Sequence, residues 1–244
     1  MNFHAWEWFL AALGALLVGV AKTGITGLSL LFVALFASIM PARRSTGLVL
    51  PLLIVGDLVA FATYRRHTQW RHVWRMLPWA ALGVVVGALV MGRMDEHMTR
   101  ITLGVIVVGL SALHLVRRAR PAVGEDDHPV WFAPLIGVLA GFTTIVSNAA
   151  GPLMVIYLLA MGLPKMEYMG TGAAFFLMLN LFKLPFMIGL GLITSDSLVL
   201  NLVLAPAVIA GTVLGRWLLG RINQRLFENI ALALTVAAGA KMLF

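Results

Sequence analysis

Val18-Gly19-Val20-Ala21-Lys22-Thr23-Gly24-Ile25-Thr26-Gly27-Leu28-Ser29-Leu30 lies inside an apolar run, 6–40, and interrupts it. The run is too long for one straight membrane helix, which needs about 20 apolar residues. A lysine, two threonines and two glycines at 22–27 divide it into Trp6–Ala21 and Leu28–Met40. As helices these pieces would measure about 24 Å and about 20 Å, short of about 30 Å of hydrocarbon. Two half-length helices joined at a polar break are expected to form a re-entrant hairpin that enters and leaves on one side. A second run, 131–163, is also overlong and is interrupted around Thr143–Pro152.

Composition sets these breaks in a bilayer. Of 244 residues, 61% are hydrophobic and only 11% are charged, against about 25% charged in a soluble domain. Mean hydropathy is +0.95. A soluble globule of this length could not bury so much apolar surface, and no length remains for a sizeable soluble domain. A peripheral enzyme, a nucleic-acid binder and a disordered regulator are disfavoured. The 18 Lys and Arg against 10 Asp and Glu give +8. Most arginines lie in short links between apolar runs, where they set topology rather than contact nucleic acid. The chain has no cysteine, which excludes disulfides, thiolate metal sites and thiol relays. No Lys or Arg precedes Lys22, so the first apolar segment is expected to be retained rather than cleaved as a signal.

The other apolar segments are 45–64, 75–94, 98–116, 166–193, 198–222 and 226–244, with a polar link at 119–130. Trp6, Trp8, Trp70, Trp74, Trp79 and Trp131 fall near segment ends, as an interfacial belt does. A broken segment followed by three helices occurs in 1–118 and again in 131–244. Pro78, Gly83, Gly87, Gly92 and Arg93 share their spacing with Pro206, Gly211, Gly215, Gly220 and Arg221, 128 residues on. Thr46-Gly47 matches Thr171-Gly172, and Pro41 matches Pro164. Chance matching of glycine-rich helices is the alternative, but five coincident positions favour an internal duplication. The glycines also let helix backbones approach closely, so the helices carrying them are expected inside the bundle.

Orientation follows from the basic residues. If each broken segment is re-entrant, each half crosses three times and the halves are inverted. The cytoplasmic side then holds Arg65, Arg66, Arg71, Arg75, Arg117, Arg118, Arg120, Lys165, Arg216, Arg221 and Arg225, eleven against five outside: Arg43, Arg44, Arg93, Arg100 and Lys241. If each broken segment crosses fully, the halves are parallel and the split is eight against eight. The positive-inside rule favours the inverted arrangement with both termini outside. The expected fold is an all-α polytopic membrane protein of two inverted repeats, each a broken or re-entrant helical hairpin plus three transmembrane helices.

A half-helix starting inside a membrane exposes unpaired N–H groups and a positive dipole end, which attract an anion without burying a full charge. Broken helices in inverted repeats commonly build a midplane transport site this way. The first break offers Lys22, Thr23, Gly24, Thr26, Gly27 and Ser29; the second offers Thr143, Thr144, Ser147, Asn148, Gly151 and Pro152. The competing reading is that the hydroxyls and amide only satisfy backbone groups left open by the breaks. Lys22 and Lys183 are cations within apolar runs, where a charge costs about 2.5–3.5 kcal/mol on insertion scales and usually has a function. Lys183 could serve an anion, or pair with Asp57, which holds a nearly equivalent place in the first half. Asp57 is the acid deepest in a span and a candidate coupling group. Asn180 lies one turn before Lys183 and shares its face. His114, beside a helix end, reads as interfacial. No catalytic residue, metal cluster or cofactor motif stands out: there is no His-Glu-x-x-His, Gly-x-Ser-x-Gly or phosphate-loop lysine.

Over essentially its whole length the chain resembles the TauE/SafE family of sulfite exporter-like permeases. The resemblance rests on the two four-segment halves, the Gly/Thr break that closes at Pro41, the charged central link and the second break that closes at Pro164. It implies a multi-pass protein of a bacterial inner membrane that exports or takes up small anions: sulfite, sulfonates such as sulfoacetate, or small organic acids. Alternating access would present the site to each side in turn. The partners would be the anion, the lipid bilayer and, in a homodimer, a second copy of the chain, without nucleic acid or cofactor. A non-transporting assembly protein and an intramembrane hydrolase are the rival classes.

Overall fold

A computed structural model describes residues 4–24, 28–90 and 129–243. Thr26, Gly27, Gly92, Arg93, His114, the expected helix 98–116 and most of the link 119–130 lie outside the described residues. The helices are α1 (Ala5–Thr23), α2 (Ser29–Ile39), α3 (Ala42–Tyr64), α4 (Trp70–Val90), α5 (Phe132–Ser147), α6 (Gly151–Ala160), α7 (Lys165–Gly189), α8 (Ser195–Arg221) and α9 (Gln224–Leu243). No strand occurs among the described residues. Within them α1, α3, α4, α7 and α8 are long and apolar enough to cross a membrane, and α5 and α6 are shorter apolar helices. The protein is an all-α, multi-pass membrane protein.

Both breaks begin later than the sequence predicts. Lys22 and Thr23 continue α1, because the Thr23 hydroxyl reaches the Gly19 carbonyl at 3.0 Å and the Gly24 N–H donates to Val20 at 2.8 Å. At 19 residues, α1 is about 28 Å long, close to a full span. α5 likewise runs through Thr143, Thr144 and Ser147, leaving 148–150 as the break. Asn148 stops α5 by taking a left-handed conformation at φ 55°, and its N–H donates to the Thr144 carbonyl at 3.0 Å. An asparagine tolerates that conformation and caps the orphaned carbonyls of a helix end. Pro152 then sits in the first turn of α6, where its missing N–H leaves no bond unmade. At the first break α2 doubles back: a Cβ on Gly14, midway along α1, would run into the Phe36 ring near the end of α2.

Glycine contacts build two helix pairs. Gly83 of α4 presses on the Val138 carbonyl of α5, and Gly211 of α8 presses on the Leu16 carbonyl of α1. In return Gly141 of α5 presses on Ala80, and Gly19 of α1 on Val208. At each place an added Cβ would fall well inside van der Waals contact with backbone. Gly83→Ala and Gly211→Ala are each expected to destabilise the protein by about 1–3 kcal/mol through overpacking. Gly220→Ala, with nothing within 4 Å, should be neutral. Thermal unfolding in detergent checks all three.

α3 and α7 lie side by side and run in opposite directions. Gly47, near the start of α3, meets Leu192, just past the end of α7. Gly170, near the start of α7, meets Tyr64 and Thr68 at the end of α3, where the Thr68 hydroxyl donates to its carbonyl at 3.1 Å. Lys165, counted above as a topology charge, also has a structural task. Its ammonium donates to the carbonyls of Leu219 at 2.9 Å and Ile222 at 2.6 Å, a cation placed on the negative end of α8.

The outward face of α8 is apolar, with Leu202 74% and Val213 67% exposed, as a lipid-facing surface requires. Trp70 and Trp74 stack at the start of α4 with centroids 6.2 Å apart. Because α4 starts at Trp70 rather than 75, Trp79 falls midway along the helix.

Candidate substrate site

Both breaks face one cavity of about 40 Å³, room for a few waters or a small ion. α1 contributes Lys22 and α2 contributes Ser29; around the second break, α5 contributes Thr144, the break itself Asn148 and α6 Gly151. Asp57 enters from α3 and Asn180 from α7, while Phe32, Leu53 and Phe176 form the apolar wall.

The polar side is ordered by ion pairing. Lys22 Nζ lies 2.7 Å from Asp57 Oδ1, with the lysine side chain 12% exposed and the aspartate fully buried. The same ammonium sits 4.3 Å above the centroid of the Phe176 ring, a cation–π contact that holds it at the cavity wall. Asn180 Nδ2 donates to Asp57 Oδ2 at 2.6 Å. Asp57 is thus held by Lys22, not by Lys183, the partner that the equivalence of the two halves indicated.

Lys183 points elsewhere for a physical reason. α5 ends with open carbonyls, and a cation is favoured there. Lys183 Nζ donates to the Thr144 carbonyl and hydroxyl, both at 3.1 Å, and to Asn148 Oδ1 at 2.6 Å. An ammonium has three protons, so these acceptors use all of them. Lys183 is fully buried and stands behind the cavity wall, which its partners Thr144 and Asn148 form. Asn148 extends the link by donating from Nδ2 to the Thr46 carbonyl at 3.0 Å, tying the break to the start of α3.

Of the residues chosen from sequence, Lys22, Ser29, Asp57, Thr144, Asn148, Gly151 and Asn180 come together around the cavity. Thr23, Gly24, Thr143, Ser147 and Lys183 do not line it. The Thr23 hydroxyl is 2.7 Å from the Thr212 carbonyl, and the Thr23 carbonyl accepts from the Tyr64 phenol at 2.7 Å. Gly24 packs against Gly215. The hydroxyls of Thr143 and Ser147 donate to carbonyls of their own helix, Ala140 and Thr143, at 3.2 Å each. The sequence reading passed over Phe176, Phe32 and Tyr64. Phe176 was within reach, since it lies four residues before Asn180 and therefore on its face.

Helix ends at two breaks thus meet a lysine–aspartate pair at one cavity in an apolar helical bundle. The family described as sulfite exporter TauE/SafE matches residues 11–242. The chain belongs to the TauE/SafE family. It is similar to the probable inner membrane transporter protein TsaS of Comamonas testosteroni, with 28% identity over 204 residues, 82% of each chain. No solved structure matches it significantly. As a TauE/SafE protein it is a membrane transporter. In this TauE/SafE chain Lys22, Lys183 and Asp57 leave one formal positive charge beside a cavity walled partly by phenyl rings.

Proposed function

We propose that this protein carries a small oxyanion across a bacterial inner membrane by alternating access, binding it in the cavity between the two breaks. Lys22 carries the reading. It is the cation at the cavity wall, next to the first turn of α2, where N–H groups and the dipole favour negative charge. The donors Ser29 and Thr144 stand around the same space. Sulfite, organosulfonates and small carboxylates are the substrate class that fits the charge and the family. The inner-membrane assignment follows the similarity to TsaS.

Alternating access follows from an inverted pair of halves. The opposed course of α3 and α7 supports that arrangement. So does the equal use of Gly83 on α5 and Gly211 on α1. Rocking one half against the other would open the cavity to each side in turn. Purified protein in liposomes is expected to take up labelled sulfite or a small sulfonate, with competition by small carboxylates. Absence of flux for all three classes would remove the proposal.

A further inference from the structure

Asn180 has an acceptor that no described residue uses. Its amide orientation is set by Asp57: Nδ2 donates to Oδ2 at 2.6 Å, and the flipped amide would bring oxygen against carboxylate. Oδ1 therefore remains an acceptor, buried and without a partner. Asn180 is 1% exposed and lines the cavity. Ser29, 7% exposed, lines the same cavity with its hydroxyl also unpartnered. A buried polar group without a partner is costly, and native structures seldom leave one unused. An anion's oxygens answer Lys22 and Ser29, but they cannot answer Asn180 Oδ1, which requires a donor.

We propose that Asn180 is a specificity-determining residue whose Oδ1 accepts a hydrogen bond from the substrate, so that the site selects a singly charged oxyanion carrying an O–H or N–H group. This rests on the anion reading above. One formal positive charge from Lys22, Lys183 and Asp57 is balanced by a monoanion and exceeded by a dianion. Lys22 and Asn180 both contact the Asp57 carboxylate and both line the cavity, so a short ligand admitted as the cavity widens in transport meets the cation and the amide together. Hydrogensulfite and short hydroxyalkyl sulfonates meet these conditions; an alkyl sulfonate without a donor leaves Oδ1 bare.

The test is uptake into proteoliposomes of two labelled sulfonates matched in charge and size, 2-hydroxyethanesulfonate and propane-1-sulfonate. The native protein should prefer the hydroxyl member about tenfold, the effect of one well-placed hydrogen bond to a buried group. In Asn180→Leu the ratio should fall to about one. Asn180→Met is the second variant should the first fail to fold. A ratio taken within one variant cancels differences in the amount of active protein and in the strength of the Asp57 interaction. Equal uptake by the native protein, or a preference that survives both substitutions, overturns the role of Asn180 and leaves the anion reading standing. If no uptake of either sulfonate, of sulfite or of carboxylates occurs, the anion reading itself falls, and this inference with it.

Discussion

Lys22→Met should abolish transport and lower the melting temperature, whereas Lys22→Met combined with Asp57→Leu should recover the melting temperature without recovering transport. Asp57 is fully buried, with Lys22 Nζ at 2.7 Å. Removing one partner of a buried pair strands the other charge, at a cost of about 3–5 kcal/mol. Asn180 still donates to Oδ2, but an amide dipole does not neutralise a carboxylate. Replacing both ions with apolar groups of similar volume is often neutral or stabilising, because neither desolvation cost remains. Transport should not follow stability, since in both variants the cavity has lost its cation and an oxyanion meets only Ser29, Thr144 and helix N–H groups. Thermal unfolding and flux on the same preparations separate the two effects. A double variant that transports would mean that Lys22 only holds Asp57, and the anion site would need another cation.

Fold class was legible because it rests on quantities that need no tertiary information: apolar run length, the scarcity of charge and the spacing of glycines. The ends of the broken segments were not. Lys22-Thr23 reads as polar, hence as a break, yet Thr23 bonds back to Gly19, a local contact that keeps α1 helical and hides the hydroxyl. Partner choice inside the membrane was hidden for a related reason. Asp57 and Lys183 hold similar places in the two halves, which made them look like a pair. Each instead faces the end of the first helix of its own half: Asp57 reaches Lys22 at the end of α1, and Lys183 reaches Thr144 near the end of α5. Equivalence in sequence predicted equivalent surroundings, not mutual contact. The unused acceptor of Asn180 is further from the sequence still. It follows from which end of the amide faces Asp57, a contact between side chains 123 residues apart in sequence.

Lys183→Met should weaken substrate binding and stability together, in a pattern different from that of Lys22→Met. The Lys183 ammonium donates to Asn148 Oδ1 at 2.6 Å and to two oxygens of Thr144 at 3.1 Å. Methionine fills much of the volume but leaves the Thr144 hydroxyl oxygen and Asn148 Oδ1 without that donor, each costing about 1–3 kcal/mol if unrelieved, while the Thr144 carbonyl keeps the Asn148 N–H; partial relaxation of the break makes a net loss of about 3 kcal/mol the expected value. Asn148 keeps its bond to the Thr46 carbonyl but is free on its other side, so Thr144 and Asn148 lose their fixed positions on the cavity wall. Because Lys183 acts through them, the concentration for half-maximal uptake should rise about tenfold or more while much of the maximal rate returns at saturating substrate. Lys183→Arg should not rescue it, since a planar guanidinium does not fit a fully buried slot shaped around three converging acceptors. Thr144→Val, which removes one acceptor and keeps the carbonyl, should cost only about 1 kcal/mol and shift half-saturation less. If Lys183→Met instead matches Lys22→Met, with no uptake at any concentration, Lys183 touches the substrate directly, and the cavity must open further in transport to let the anion reach it.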